Sequence, residues 1–502
     1  MDNFKIENNN NIIKLLEEKG IDIDYCCKGK EIIVNSKKEI LDKIDNIKYK
    51  KIEDNENISR IKSSILKRKS IAKLGEYHFQ KDLEYFFNEI INKYPDIASY
   101  ENIGKSVENR NLLIMKITQK NNNEKNSIMY LANIHGNETI GREICLYLIN
   151  YLCEEYQTNN SIKNFVNNTN IYIMPTLNPD GFENKDISGN WAPTRFNSNN
   201  IDLNRDFPDQ YIGNGKYKKQ PETEAILRWY KDKNINLSLN MHSGAIVVNY
   251  PFDGPISGEY SKTKDDEYFK FLSVEYVKKA PYFSQSPFTN GITNGSEWYA
   301  MYGGMQDWRY VYNKGFEITL ELSNEKIVEE KDIEYYWENN KKSLIRMLEL
   351  VNTGIKGNMI ETKNNSEFIV ENIENKEKRV LNINNGKYST ILKDGEYTIS
   401  YENIKSEIFQ IQINKIIKIM FNGNNFIIEN YPENDNNYNI QIDNQVNNTD
   451  NSHNSNKKIF LIVFLLVIIF IIFNSKSKKK NIINIYLDIY LKTFVINYYN
   501  HY

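Results

Sequence analysis

Two hydrophobic periods alternate along residues 77–355. Apolar runs of strand length occur in "LLIMKITQ", "NSIMYLANI", "TNIYIMPTLNPDGF", "INLSLNMH" and "FEITLELS". Between these runs, apolar residues recur at the three-to-four spacing of amphipathic helices in residues 77–95, 139–156 and 220–233. Strands that alternate with helices predict an α/β domain over residues 75–355. Its sheet is expected to be mixed and mostly parallel, with helices on both faces.

The pattern changes after residue 355. Short alternating runs such as "KRVLNIN", "YSTILKDGEYTISYE" and "IFQIQIN" are separated by Asn-Asn-Gly and Lys-Asp-Gly turns. This spacing predicts a small antiparallel β-sandwich over residues 356–430. Residues 431–456 are rich in Asn and Asp and are predicted to form a polar stalk.

A membrane anchor is predicted near the C-terminus. Residues 459–473 are fifteen consecutive apolar residues, which as a helix extend about 22 Å, less than the ~30 Å hydrocarbon core of a bilayer. Lysines on both sides can extend their ammonium groups to the lipid headgroups. We therefore expect an anchor over residues 457–475, in preference to a buried core segment. The tail, residues 476–502, has no functional assignment.

The predicted orientation in the membrane has one alternative. Lysines are more numerous after the apolar run than before it, so the positive-inside rule places the tail in the cytoplasm and the enzyme domain in the lumen or outside the cell. Residues 1–70 form a polar extension of unknown purpose, and their charged, Asn-rich sequence contains no signal-peptide pattern. A cytosolic orientation therefore stays open.

Composition sets further limits on function. The 502 residues carry a net charge of −2, so no nucleic-acid partner is expected. Cys145 and Cys153 lie eight positions apart on one predicted helix, which separates them by about 12 Å, too far for a disulfide. Both are expected to be buried apolar residues.

Candidate chemistry begins with histidines at strand ends. The chain has five His residues, and only His135 and His242 end apolar, strand-like runs. Glu138 follows His135 after two residues, and a catalytic zinc site typically has three such ligands and a water. A single His at a strand end is usually structural, but the scarcity of His favours a zinc site here.

Other polar residues occur at positions suited to substrate recognition. Arg195, Asn204 and Arg205 lie on one loop, and arginine binds carboxylates in a bidentate way. Glu321 lies inside an apolar strand, where a carboxylate is costly unless it has a partner or a chemical task. By itself, Asp253 is better explained as a residue that forms a turn before Gly254.

The residues above belong to a larger set of motifs. In order, they are "HGNETIGRE", "MPTLNPDGFE", "IDLNRDFPD", "QPETEA", "MHSG", "NYPFD", "GITNGSEWY", "GGMQDW" and "FEITLELS". Together they resemble the zinc metallocarboxypeptidases, in particular the regulatory branch that contains carboxypeptidases D, E, M and N. The resemblance covers about residues 77–355, and it implies that the following sandwich is a transthyretin-like domain. Ser243 departs from the family pattern, in which Gly commonly follows the second His.

The resemblance implies a role for each motif residue. His135, Glu138 and His242 are expected to bind one zinc ion per chain, with Asp202 orienting His135. Glu321 is expected to act as the general base toward a zinc-activated water, and Arg195 to polarise the scissile carbonyl. Asn204, Arg205 and Tyr299 are expected to hold the terminal carboxylate of the substrate. Asp253 and Gln306 are expected to line the pocket for a basic C-terminal side chain.

The implied function is hydrolysis of the C-terminal peptide bond of peptides or proteins, with a preference for C-terminal Arg or Lys. One alternative is a carboxypeptidase of different specificity, such as one that removes acidic residues, but Asp253 would repel that substrate. The other is a carboxypeptidase-like binding module without catalysis. The presence of every zinc ligand and of Glu321 argues against this module.

Overall fold

The computed structural model describes residues 2–7, 16, 22–26, 31–36, 41–44, 47–52, 70–120, 124–213, 219–231, 233–359, 367–381, 383 and 386–429. The chain divides into two units, Met1–Pro432 and Glu433–Tyr502, and every described residue lies in the first. The predicted anchor, residues 457–475, lies outside the described residues, as do the stalk from residue 431 and the tail. No helix within the described ranges is long and apolar enough to span a bilayer.

The N-terminal region contains a four-stranded antiparallel sheet that the sequence did not predict. Its strands are β1 (Asp2–Glu7), β2 (Asp22–Cys26), β3 (Glu31–Ser36) and β4 (Tyr49–Ile52). They pair in the order β2-β3-β1-β4. Phe4, Ile6 and Val34 are fully buried in one cluster, and Tyr299 of the following domain packs against that cluster. This mostly polar stretch of sequence therefore forms a small hydrophobic cluster of its own.

An eight-stranded mixed sheet forms the centre of the next domain. Its strands are β5 (Ala98–Lys105), β6 (Asn111–Ile117), β7 (Asn126–Ala132), β8 (Thr169–Met174), β9 (Leu237–His242), β10 (Ala245–Tyr250), β11 (Ile292–Asn294) and β12 (Phe316–Ser323). The order is β11-β10-β12-β9-β7-β8-β6-β5. The central strands β12, β9, β7 and β8 are parallel, and β6 and β5 pair antiparallel at one edge. This agrees with the predicted mixed α/β sheet.

Nine α-helices occur in the described part of the chain. They are α1 (Gln80–Lys93), α2 (Ile140–Glu155), α3 (Asn160–Asn168), α4 (Pro179–Phe182), α5 (Pro221–Lys231), α6 (Asp266–Val277), α7 (Gly295–Trp298), α8 (Met305–Val311) and α9 (Ile333–Val351). The first, second and fifth match the helices that the apolar spacing predicts. Cys145 and Cys153 lie on α2, and both are buried free thiols, as expected.

Helices cover both faces of the central sheet. Side chains of successive strand residues point to opposite faces, so Ile128 and Tyr130 of β7 join one core while Met129 and Leu131 join the other. The first core is closed by α2, α6 and α9, and the second by α5. Because both faces are buried, the central strands are continuous apolar runs rather than alternating ones. This is why they were recognisable in the sequence.

An all-β region follows α9. One sheet contains β13 (Gly354–Asn358), β16 (Lys387–Ile391), β20 (Ile416–Phe421) and β21 (Phe426–Glu429). The other contains β14 (Phe368–Asn372), β15 (Lys378–Leu381), β17 (Gly395–Tyr401), β18 (Ile404–Lys405) and β19 (Phe409–Ile411). Residues from both sheets, such as Ile419 and Phe368, share one core, so the two sheets pack face to face.

Candidate metal centre and substrate cleft

The turn after β7 brings two candidate ligands to the edge of the sheet. Asn133 has a positive φ of 56°. Its side-chain nitrogen Nδ2 donates to the backbone carbonyls of His135, Gly136 and Glu138 at 2.9, 3.1 and 3.2 Å. Gly136 is required there, since a Cβ would lie 2.2 Å from the backbone of Gly181. The turn therefore fixes His135 and Glu138 before α2 begins.

The third candidate ligand lies on the neighbouring strand. His242 ends β9, which pairs in parallel with β7, so the carboxyl ends of both strands lie at one edge. His135 Nδ1 lies 2.9 Å from Glu138 Oε1, and His242 Nδ1 lies 2.8 Å from Glu138 Oε2. One possible ligand atom from each of the three residues lies within 4.8 Å of the others, and all three are buried. Two imidazoles and one carboxylate are a ligand set suited to zinc.

The electrostatics of Glu138 agree with a cation site. Burial alone would raise the pKa of this carboxyl, but the charges of His135 and His242 outweigh burial and hold the pKa well below its ordinary range. The carboxylate is therefore ionised, as a metal ligand must be. His242 Nε2 is buried, and no described residue forms a hydrogen bond with it.

Asp202 joins the first His to an arginine. Its Oδ1 lies 3.1 Å from His135 Nε2, and its Oδ2 accepts a hydrogen bond from Arg195 Nε at 2.9 Å. Burial opposes ionisation of Asp202, but Arg195, His135 and Arg205 together hold its pKa well below the usual value. Arg195 also reaches toward Glu138, with Nη1 at 3.5 Å from Oε1. Asp202 thus orients both the imidazole and the guanidinium.

Glu321 lies on β12, the strand that pairs with β9. In the parallel pairing of β12 with β9, Glu321 stands beside His242, and its side chain lines the same cleft. Its Oε2 is buried and has no hydrogen-bond partner in the described ranges. Burial and the neighbouring Glu138 raise its pKa to about 7, against the opposing effect of His242 and two nearby cations.

Most of the predicted site residues border one cleft. Its lining includes His135, Glu138, His242, Arg195, Asn204, Tyr299 and Glu321. Four predicted site residues are not part of this lining, namely Asp202, Arg205, Asp253 and Gln306. Arg205 is close to it, because its guanidinium donates to the carbonyl of Asn204 at 3.1 Å and to Met301 Sδ at 3.3 Å.

A buried polar group adjoins the cleft on the β10 side. Asn249 Nδ2 and Gln306 Nε2 donate to Asp253 Oδ1 at 3.0 and 3.2 Å. Asp253 Oδ2, Asn249 Oδ1 and Gln306 Oε1 are buried acceptors without a partner among the residues that the structure describes. A Cβ added at Gly304 would lie 3.4 Å from Asp253 Oδ2 and 2.4 Å from Met301 Cε, so this oxygen lies near the glycine and the end of the Met301 side chain. Burial raises the pKa of Asp253 to about 6, although Asn249, Arg205 and His242 oppose the shift.

Sequence analysis missed several residues of the lining, among them Asn249, Lys326 and Trp298. Asn249 is a buried polar residue in the apolar strand "AIVVNY", a signal similar to the one that identified Glu321. Lys326 follows Glu321 by five positions, and its ammonium lies 3.8 Å from Glu138 Oε1. Trp298 packs against Tyr299 with ring centroids 5.0 Å apart. Trp298 lies in the motif "GITNGSEWY", next to the predicted Tyr299, whereas nothing in the sequence around Lys326 distinguishes it from an ordinary surface position.

Comparison with known proteins identifies the class. The family model for zinc carboxypeptidase matches residues 83–343, more than half of the chain. This range contains the whole metal centre and the cleft. The chain belongs to the zinc carboxypeptidase family, a family of hydrolases.

Individual relatives agree with the resemblance seen in the motifs. Mouse carboxypeptidase M is 38% identical over 343 residues, which cover 64% of this chain and 77% of the relative. Human carboxypeptidase D is 37% identical over 342 residues, and mouse carboxypeptidase N catalytic chain is 35% identical over 365. The match spans only 25% of the length of human carboxypeptidase D.

Solved structures support the fold. The carboxypeptidase A of Helicoverpa armigera matches with a TM-score of 0.56 and 19% identity, covering 68% of this chain and 95% of that one. Thrombin activatable fibrinolysis inhibitor matches with a TM-score of 0.54 and 20% identity, covering 69% of this chain and 97% of that one. At these identities the matches show the carboxypeptidase fold and carry no information on substrate.

Proposed function

We propose that this protein is a zinc-dependent exopeptidase that removes Arg or Lys from the C-terminus of peptides or proteins. One observation carries the specificity: three buried acceptor oxygens, on Asn249, Asp253 and Gln306, lack partners within the described residues beside the metal centre. Unpaired buried acceptors are costly, and a guanidinium or ammonium group supplies the missing donors. The family membership supports the peptidase activity.

His135, Glu138 and His242 are the proposed ligands of one zinc ion per chain. A bound zinc ion acts as a Lewis acid and lowers the pKa of a coordinated water. The protein's part is to hold three ligand atoms together and to keep Glu138 ionised. Asp202 accepts from the outward nitrogen of His135, the kind of contact that fixes the tautomer and direction of a metal-binding imidazole.

Glu321 is the proposed general base. It lines the cleft, and its Oε2 has no hydrogen-bond partner in the described part of the chain. With a pKa of about 7, it can take a proton from the attacking water and return it to the leaving amine near neutral pH. Arg195 borders the same cleft, where its guanidinium stabilises negative charge on the carbonyl oxygen.

Recognition of the chain end is assigned to Asn204, Arg205 and Tyr299. An exopeptidase must bind the terminal carboxylate of its substrate, and arginine does so with two parallel hydrogen bonds. Asn204 and Tyr299 border the cleft, and the guanidinium of Arg205 donates to the carbonyl of Asn204. Asn204 is itself held in place, because its side-chain oxygen accepts from Met305 N at 3.0 Å.

Asp253 and Gln306, joined by Asn249, are assigned to the pocket for the basic side chain. The acceptor group contains one carboxylate and two amide oxygens, which suits a cation and disfavours an anion. A carboxypeptidase for acidic C-termini would bring a second negative charge to the buried Asp253, so we do not favour that specificity.

The domain organisation is also part of the proposal. We assign residues 75–355 to the catalytic domain and residues 356–430 to a transthyretin-like domain. Residues 457–475 are assigned to a transmembrane anchor, with the catalytic domain in the lumen or outside the cell and the cytosolic orientation as the alternative. Residues 1–70 form an N-terminal region, part of which folds as a sheet.

The test compares three peptides that differ only in a C-terminal Arg, Glu or Phe, with and without a chelator. The expected result is release of the terminal residue from the Arg peptide at a much higher kcat/KM than from the other two, abolished by the chelator. Faster release of Glu would establish acidic specificity. No release from any peptide by zinc-loaded protein would leave the binding-module interpretation.

A further inference from the structure

A second buried acid, Asp307, contacts the main chain of Asp253. Asp253 N lies 3.1 Å from both Oδ1 and Oδ2 of Asp307, so a single N–H donates to both oxygens of the carboxylate. Both residues are only 2% exposed. Asp307 lies in the first turn of α8, the helix that also carries Gln306. The hydrogen bond therefore connects the loop that contains Asp253 to the helix that carries Gln306.

The surroundings leave Asp253 little freedom. Its carbonyl accepts from Met301 N at 2.8 Å, and a Cβ added at Gly295 would lie only 1.9 Å from its Oδ1. On the next residue, the carbonyl of Gly254 accepts from Tyr211 Oη at 3.1 Å. A small shift of this loop would therefore change the direction of the unpartnered Oδ2.

Placing Asp307 here has an electrostatic cost. Burial and the nearby charge of Asp253 raise the pKa of Asp307 well above its usual value. Two adjacent buried carboxylates repel each other, and an apolar residue at position 307 would avoid this repulsion. An apolar residue would also leave the Asp253 N–H without an acceptor, whereas a carboxylate directs the N–H with two oxygens.

We propose that Asp307 is a positioning residue for substrate selection, which holds the main chain of Asp253 so that its unpartnered oxygen meets the basic C-terminal side chain. This inference rests on the proposed function, because it needs Asp253 to bind a cationic side chain. It is separate from catalysis, since Asp307 does not line the cleft that contains the metal ligands and Glu321.

The test measures kcat/KM of the full-length zinc enzyme for matched peptides ending in Arg and in Leu. The variants are Asp307→Leu, which removes the acceptor at similar size, and Asp307→Asn, which keeps one acceptor and removes the charge. We expect Asp307→Leu to lower the Arg-to-Leu ratio by about tenfold, through KM for the Arg peptide. Asp307→Asn should retain most of the ratio. Asp266→Asn, at a buried acid on α6, is the control and should leave the ratio unchanged.

A double-mutant cycle shows whether Asp307 acts through Asp253. If it does, Asp307→Leu added to Asp253→Ala causes no further fall in the ratio. Equal losses on both peptides, an unchanged ratio in Asp307→Leu, or effects that multiply in the cycle would each overturn the inference. Equal losses of the ratio in the Asn and Leu variants would also overturn it, because charge and not position would then matter. If Asp307→Leu does not fold, Asp307→Ala replaces it, because it also removes the acceptor.

A wild-type enzyme without preference for Arg would instead refute the proposed specificity. The preference of the unmodified enzyme is therefore measured first. With that preference established, the variants test Asp307 alone.

Discussion

His135 Nε2 lies 3.1 Å from Asp202 Oδ1, and the second oxygen of the same carboxylate accepts from Arg195 Nε. One partly buried side chain therefore orients both a proposed metal ligand and the proposed carbonyl-polarising group. Because the two contacts use different oxygens, neither competes with the other. The direction of the imidazole and that of the guanidinium are set together.

Metal binding should depend on Asp202. We expect one zinc per chain, loss of activity with chelator, and about 10–100-fold weaker zinc binding in Asp202→Ala, because contacts to metal-binding imidazoles are typically worth that much. Metal analysis and competition with a chromogenic chelator measure both quantities. Asp266→Asn is the control. Zinc affinity that is unchanged in Asp202→Ala would show that His135 is oriented by other contacts.

Glu321→Gln should bind zinc normally but lose about 10²–10⁴-fold in turnover, the usual effect of removing a general acid or base. Glu317→Gln is a matched control, because Glu317 is a buried carboxylate on the same strand that does not line the cleft. Steady-state kinetics on an Arg-ending peptide measure the difference. A Glu321→Gln enzyme that keeps a large part of wild-type turnover would assign the base to another residue.

Asp253→Ala should lower kcat/KM for a C-terminal Arg by about 10–100-fold, since charge-assisted hydrogen bonds contribute roughly 1.5–3 kcal/mol. Activity toward a C-terminal Leu should fall much less or rise, because an unpaired buried charge has been removed. Zinc content serves as the control for an intact metal centre. Equal losses on both peptides would mean that Asp253 supports the fold instead of binding the substrate.

The preference for Arg should depend on pH. Burial raises the pKa of Asp253 from 3.8 to about 6 in the free enzyme, so the carboxylate is ionised above that pH and protonated below it. We expect the Arg-to-Leu ratio of kcat/KM to fall as pH drops through about 6, since a neutral acid binds a cation weakly. The ratio is measured from pH 5 to 8, and Asp253→Asn should abolish its pH dependence.

The raised pKa of Asp253 has the opposite effect on stability, which should increase as pH drops. The folded state binds the Asp253 proton more tightly than the unfolded state, so this group's contribution to the free energy of unfolding decreases as pH rises from about 4 to 6. A shift of about two units corresponds to about 3 kcal/mol. Denaturant unfolding of wild type and Asp253→Asn across this window isolates the contribution.

Membrane association should require residues 457–475. A chain truncated after Asn456 should remain in the supernatant after carbonate extraction and ultracentrifugation, whereas the full chain should sediment with membranes. Both proteins should hydrolyse the Arg peptide at similar rates, because the cleft lies far earlier in the sequence. Full-length protein in the supernatant would contradict the anchor.

The candidate metal centre was predictable because His135 closely follows one apolar strand and His242 ends another. β7 and β9 are buried on both faces, so their ends are clear in the sequence, and parallel pairing brings these ends together. The contact between Asp253 and Asp307 was not predictable, because the residues are 54 positions apart and a loop joins a helix there. The N-terminal sheet was missed because Phe4, Ile6 and Val34 are scattered among charged and Asn residues.

Tyr299 belongs to two environments at once. It borders the cleft, and it also packs against the apolar cluster of the N-terminal sheet. We therefore expect a ligand that contacts Tyr299 to link occupancy of the cleft to folding of the N-terminal sheet through this one aromatic ring. A ligand that holds Tyr299 in its packed orientation stabilises the N-terminal sheet, and by reciprocity the folded sheet tightens that ligand's binding. A ligand that requires the ring to turn away should destabilise the N-terminal sheet, and the same coupling should weaken the binding of that ligand.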